Sequence, residues 1–239
     1  MSRLRQRAGQ LKRRGARALR ERLPDDRPLR EQLGLTRLEP VSREVGFERG
    51  KPIDRFYIER FLDAHRSDVR GRVLEIAEPT YTRWFGDDRV TRSDVLHRTG
   101  VPEATVVGDL MTGEGIPQAA FDCFICTQTL HVIEDLDAAV RGSHDAVRPG
   151  GVVLCTVPGV SQTSREDRRD WGDWRRFTRQ GAQRAFERAG FAQVDAVSHG
   201  NVLTCAAFLY GFAAEELTST ELAFEDSEYE LLVTVRAVR

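Results

Sequence analysis

Seven short apolar runs, set apart by stretches of helical period or by Gly, Pro and polar residues, limit the fold of this chain more than any other feature. They are Arg72–Ala77, Asp88–Asp94, Ala104–Asp109, Phe121–Thr127, Val152–Val157, Phe191–Ser198 and Tyr229–Val238. Short β-branched runs bounded by turn residues read as buried strands. In the last run Leu231, Val233 and Val235 alternate with Leu232, Thr234 and Arg236. Ahead of the first run, Ile53, Phe56, Tyr57, Arg60, Phe61 and Ala64 keep a helical period up to Asp68, and Gly71 then breaks it. Asp135 to Val147 reads as a helix closed by Arg148-Pro149-Gly150-Gly151. Thr178 caps another that runs to Ala189, with Gly190 as its stop.

Strands alternating with helices build a sheet covered on both faces. The expected class is therefore α/β: a Rossmann-like, doubly wound, mostly parallel seven-stranded sheet with helices on both faces. With 239 residues, 40% of them hydrophobic, the chain is long enough for one such domain and a short appendage. Charge divides it the same way. Residues 1–37 hold 12 Lys+Arg against 4 Asp+Glu, while the rest holds 24 against 33. We read residues 1–38 as a basic arm and 39–239 as the α/β domain. In the arm, Leu4, Ala8, Leu11, Ala18 and Leu19 recur at roughly helical spacing among arginines, up to Pro24. An amphipathic basic helix of this kind is a candidate contact for anionic membrane or for a protein partner. The acidic body argues against nucleic acid as partner. No apolar h-region follows the basic start and no run approaches a membrane span, so a cytoplasmic setting is expected, with the arm as a peripheral membrane contact.

Ligands of such sheets bind beyond the carboxyl ends of the strands. Those ends carry Glu75, Asp94, Asp109 and Thr127-Gln128. Asp94 follows Ile76 by 18 residues, near the spacing at which an acid accepts both hydroxyls of a cofactor ribose. Asp109 has the chemistry to accept from an adenine amino group. Each aspartate also suits a plain turn or helix cap. Cys123 and Cys126 stand three apart on a strand and so face opposite sides. They read as core residues, and no metal site is expected.

The strings VLEIAEPTY, SDVL, VVGDL, FDCFICTQTLHVIEDLDAAV and RPGGVVLCTVPG, in that order, resemble the motif series of class I S-adenosylmethionine-dependent methyltransferases. The likeness is to the type 11 methyltransferase domain family, over about residues 71–159. GFERGKPIDRFYIERFL, WGDWRRFT and HGNVL are similar to a bacterial subgroup found with glycosyltransferases. The resemblance implies S-adenosylmethionine as cofactor. Glu75, Ala77 and Tyr81 would lie by its methionine moiety, Asp94 at the ribose, Asp109 and Leu110 at the adenine, and Thr127 and Gln128 at the edge of the transfer cleft. The family's glycine loop is degenerate here. Ala77 stands at the first glycine, and Glu78-Pro79-Thr80 replace the rest. Alanine tolerates positive φ less well than glycine, so a methyltransferase-fold scaffold that has lost the cofactor is the alternative reading. The absent GxGxxG also argues against a dinucleotide.

The resemblance further implies methyl transfer to a small-molecule or glycan-type acceptor, with O-methylation expected. A hydroxyl acceptor is helped by a general base, and histidine suits that task. His131 after the fourth run is the first candidate and His199 after the sixth is the second. Either histidine is equally well read as a cap or turn residue. Trp171, Asp173, Trp174 and Arg176 are the candidate acceptor residues, with indoles to stack on a sugar ring and charged groups to bind its hydroxyls.

Overall fold

The computed structural model describes Glu31, Gly34 and residues 36–239. Two units divide the chain, Met1–Pro40 and Val41–Arg239, and every element named below belongs to the second. The helix expected ahead of Pro24 lies outside the described residues.

Strands β1 (Gly71–Ile76), β2 (Val90–His97), β3 (Val106–Val107), β4 (Phe121–Thr127), β5 (Val147–Pro158), β6 (Gln193–His199) and β7 (Leu232–Val238) form one sheet in the order β3-β2-β1-β4-β5-β7-β6. All pairs are parallel except those of β7, which runs antiparallel to both β5 and β6. The direction of winding reverses between β1 and β4, where two neighbouring crossovers leave to opposite sides and open a crevice.

Helices α1 (Ile53–Ala64), α2 (Thr80–Gly86), α3 (Leu136–Ala146), α4 (Arg165–Asp170), α5 (Arg179–Arg188), α6 (Val202–Tyr210) and α7 (Ser219–Ala223) complete the fold. Side chains alternate across a strand, and the sheet accordingly separates two apolar clusters. Leu74, Phe124, Cys126 and Cys155 pack with Val140 of α3 and Phe186 of α5 on one face. Val73, Cys123 and Ile125 pack with Ile53, Tyr57 and Leu62 of α1 and Phe208 of α6 on the other. Cys123 and Cys126 thus fall on opposite faces. Among the described residues no helix is long and apolar enough to cross a membrane.

The helix starts follow their sequence signals. Asp135 accepts from the Ala138 amide at 2.9 Å, and Thr178 accepts from the Gly181 amide at 3.1 Å, each satisfying an amide left free at a helix start. Several strand boundaries differ from expectation: β3 shrinks to Val106–Val107 and stops short of Asp109, and β7 begins at Leu232 rather than Tyr229. The Arg148–Gly151 segment, expected as a stop between α3 and β5, lies within β5 as a bulge, since Val147 pairs with Phe121 and Val152 with Cys123. Strand β2 runs on to His97, three residues past Asp94, and this extension decides what stands at the crevice.

Candidate active site

A cavity of about 840 Å3 opens at the carboxyl ends of β1, β2 and β4. Its wall begins at the turn after β1. Ala77 takes φ 66°, a left-handed conformation that costs a side-chain-bearing residue about 1–2 kcal/mol. Its neighbours hold it there. The Ala77 amide donates to Leu96 O at 3.1 Å, and His97 Nε2 donates to Ala77 O at 2.6 Å. Glu75, 3% exposed, turns its carboxylate away from open space and onto the start of α2. It accepts from the Tyr81 amide at 2.9 Å and the Thr82 amide at 2.7 Å. Burial raises its carboxyl above the usual range, against the lowering by those bonds. Glu75 therefore fixes the loop that carries Ala77, Glu78 and Tyr81 along the cavity.

The opposite wall comes from Gly108-Asp109-Leu110-Met111. Asp109 accepts from the Met111 amide at 2.8 Å and pairs with Arg98 at 3.3 Å. Helix α3 supports this turn closely: a Cβ on Gly142 would collide with Leu110 O. The floor is Thr127 and Gln128. Gln128 sits at φ 46°, its amide donating to Thr156 O at 2.9 Å and its Nε2 to Asp54 at 3.2 Å. Its Oε1 is buried without a partner, although a buried acceptor ordinarily has one.

Glu75, Ala77, Tyr81, Asp109, Leu110, Thr127 and Gln128 thus line one cavity, and Asp94 does not. It is 1% exposed and lies inside β2, opposite Leu74 of β1. Arg72 donates to it at 2.7 Å, Arg92 at 3.0 Å and Thr105 at 3.1 Å. Burial pushes its carboxyl up, but the bonds from Arg72, Arg92 and Thr105 prevail and hold it below the usual range. At the end of β2, where the acid was expected, His97 lines the cavity.

His199 is also elsewhere. It bonds to Glu225 at 3.1 Å and Thr234 at 3.0 Å and stacks on Tyr57, a structural post between β6, β7 and α1. His131, 6% exposed, stands behind the wall. Its Nε2 is 3.4 Å from Asp167 Oδ2, and Asp167 lines the cavity in its place.

The candidate acceptor residues also divide. Trp171 and Trp174 line the cavity and are half-exposed, as is Trp84 of α2. The chain has three tryptophans, and all three meet here. Asp173 and Arg176 do not reach the cavity but pair with each other, Asp173 also accepting from the Ser164 amide at 3.0 Å. Arg175 donates to the carbonyls of Leu130, Ile133 and Glu134, and the Trp174 amide donates to His131 O at 2.9 Å. A Cβ on Gly172, at φ 98°, would strike the Trp174 indole. The loop after β4 and the segment after β5 are thus stapled into one wall. Sequence reasoning missed Trp84, Asp167 and His97. The indole of Trp84, so soon after the β1 turn, was the available signal.

Six carboxylates (Glu59, Glu75, Glu78, Asp109, Glu134 and Asp167) line the cavity against Lys51, Arg55 and Arg98, so its field favours a cationic ligand.

A family model for a methyltransferase domain matches residues 40–196, more than half of the chain. No curated protein sequence matches it. Among solved structures, an S-adenosylmethionine-dependent methyltransferase from Archaeoglobus fulgidus is similar at TM-score 0.52 and 12% identity, over 77% of this chain and 94% of its own. The 1,6-didemethyltoxoflavin N1-methyltransferase of Burkholderia thailandensis, solved with 1,6-didemethyltoxoflavin and S-adenosylhomocysteine, is similar at TM-score 0.50 and 16% identity, over 77% of this chain and 76% of its own. The chain belongs to the methyltransferase-domain family and has the fold of the class I S-adenosylmethionine-dependent methyltransferases.

Proposed function

We propose that this chain transfers a methyl group from S-adenosylmethionine to an oxygen of a small-molecule or glycan-type acceptor. The observation that carries the reading is the convergence of the β1, β2 and β4 ends, with the turns that follow them and the turn after β3, on one cavity of about 840 Å3, within the range of small-ligand sites. The residues suit this cofactor in two further ways. The surplus of carboxylates matches a molecule whose sulfonium and ammonium outweigh its single carboxylate. The partnerless Gln128 Oε1 is an acceptor available to a donor group bound beside it. Ala77 reaches φ 66° despite its Cβ, so the missing glycine does not by itself deny the loop its shape.

In this reading the Ala77–Tyr81 loop, fixed by Glu75, would hold the methionine end. Asp109 and the Leu110 turn would hold the adenine end, and Thr127 and Gln128 would border the transfer cleft. With Asp94 taken by arginines, Glu78 is the carboxylate left at the β1 turn to accept from the ribose hydroxyls. When bound, S-adenosylmethionine supplies an electrophilic methyl group whose departure leaves a neutral thioether. The protein's task is alignment, which supplies much of the rate of a bimolecular displacement. The stapled wall of Trp171 and Trp174 faces the acceptor, where indoles can cover the apolar face of a ring. Calorimetric titration of the full chain with S-adenosylhomocysteine tests the reading: saturable heat is expected. A folded protein that gives none at high ligand concentration refutes it.

A further inference from the structure

We infer that Asp167 receives the proton of a hexopyranoside hydroxyl at the acceptor wall, and that His131 is the positioning residue that aims its carboxylate. The inference deepens the O-methylation reading above and rests on it.

Three of the cavity's six carboxylates are engaged away from the acceptor wall. Glu75 is held by two amides, Glu59 pairs with Lys51, and Asp109 pairs with Arg98. Asp167 differs in being backed by a buried ring. His131 faces it through Nε2, and its Nδ1 is buried with no partner. With its proton on Nε2, the ring donates to Asp167 Oδ2 and holds the carboxylate at the cavity wall. The geometry is fixed from both sides. Ser164 Oγ accepts from the Asp167 amide at 3.1 Å, and Trp174 binds the backbone of His131. On the same segment Trp171 and Trp174 present their indoles to the same cavity. Stacking faces beside a hydrogen-bond acceptor are what a pyranose ring needs.

As the hydroxyl oxygen forms its bond to the methyl carbon with a lone pair, the carbon–sulfur pair leaves on sulfur. The O–H pair stays on oxygen, and the proton passes to Asp167. The sulfonium charge and the carboxylate charge vanish together, leaving a thioether, an ether and a carboxylic acid. An oxygen that is methylated but still protonated is a far stronger acid than any carboxylic acid, so a carboxylate suffices as base. The His131 bond holds the Asp167 carboxyl below the usual range, against burial. The acid formed therefore gives its proton to solvent and the site resets. Besides His131, the charged group facing Asp167 is Asp173, which raises it and is itself paired with Arg176.

The test uses the full chain, S-adenosylmethionine and a panel of methyl hexopyranosides, with S-adenosylhomocysteine affinity measured by calorimetry in parallel. Asp167→Asn is expected to keep the wild-type affinity for S-adenosylhomocysteine and to lower methyl transfer about 10²-fold or more, the usual weight of a general base. His131→Gln, which keeps an N–H toward Asp167, is expected to retain most of the rate. His131→Ala should move the acid limb of the pH–rate profile upward, because the donor is lost. In nitrogen NMR of the histidine-labelled full chain, His131 is expected to carry its proton on Nε2, and Asp167→Ala to abolish that preference. Wild-type rates in Asp167→Asn, an unmoved acid limb in His131→Ala, or binding of S-adenosylhomocysteine with no transfer to any pyranoside overturns the inference. Absence of S-adenosylhomocysteine binding in the wild type instead overturns the methyltransferase reading beneath it.

Discussion

Asp94→Asn removes the charge from a side chain that is 1% exposed and that joins Arg72 of β1, Arg92 of β2 and Thr105 ahead of β3. Arg72 also lies over the Phe121 ring of β4, 4.7 Å from its centroid, so the carboxylate organises three strands. A hydrogen bond to a charged group is worth about 1.5–3 kcal/mol, and breaking a fully buried pair costs about 3–5 kcal/mol. Arg72 is 26% and Arg92 60% exposed at the side chain, so water recovers part of that, and a loss of about 2–3 kcal/mol is expected. For a domain of this size each kcal/mol moves the midpoint by roughly 2–4 °C, and the variant should therefore melt about 4–12 °C lower. The folded pKa of Asp94 is depressed. Its contribution is therefore full above the unfolded aspartate value of about 3.9 and lost as pH falls through the lower folded value. The gap between wild-type and variant melts should close in that acid window. Thermal unfolding at neutral and acid pH, with calorimetry against S-adenosylhomocysteine, reads both effects. A variant that melts like the wild type but no longer binds S-adenosylhomocysteine would show that Asp94 serves the ligand and that the staple argument is wrong.

Ala77→Gly relieves the positive φ and should raise stability by about 1 kcal/mol, seen as a melt roughly 2–4 °C higher with S-adenosylhomocysteine affinity kept. Gly172→Ala should displace the Trp174 indole and weaken pyranoside binding in calorimetry while leaving S-adenosylhomocysteine affinity unchanged. The four cysteines are free and buried, and burial pushes Cys205 up to about 11 and Cys123 further. Iodoacetamide should label none of them at mildly alkaline pH in the folded protein and all four after unfolding, counted by mass spectrometry.

The sheet was legible because burial on both faces leaves an unmistakable apolar run, and because Asp135 and Thr178 cap their helices by local chemistry. The end of β2 was not. A charged Asp94 looks like the close of a strand, and only its pairing with Arg72, 22 residues earlier, lets the strand continue through Val95 and Leu96. Such pairing across strands has no local signature. In the same way the segment after β5 brings Trp171 and Trp174 to the cavity but not Asp173 and Arg176. Those two are three residues apart and neutralise each other. His131 and His199 stand near strand ends as expected, yet the direction of a ring is set by its packing partners, Asp167 for one and Tyr57, Glu225 and Thr234 for the other.

The gathering of every indole around one cavity has an optical corollary. Ultraviolet emission from this protein, excited where only tryptophan absorbs, originates wholly at the place where ligands are expected, with no background from distant indoles. Each ring is about half in water, so a ligand that excludes solvent there should shift the colour of that emission as well as its intensity. The folded chain thus carries its own gauge of occupancy, readable without a label.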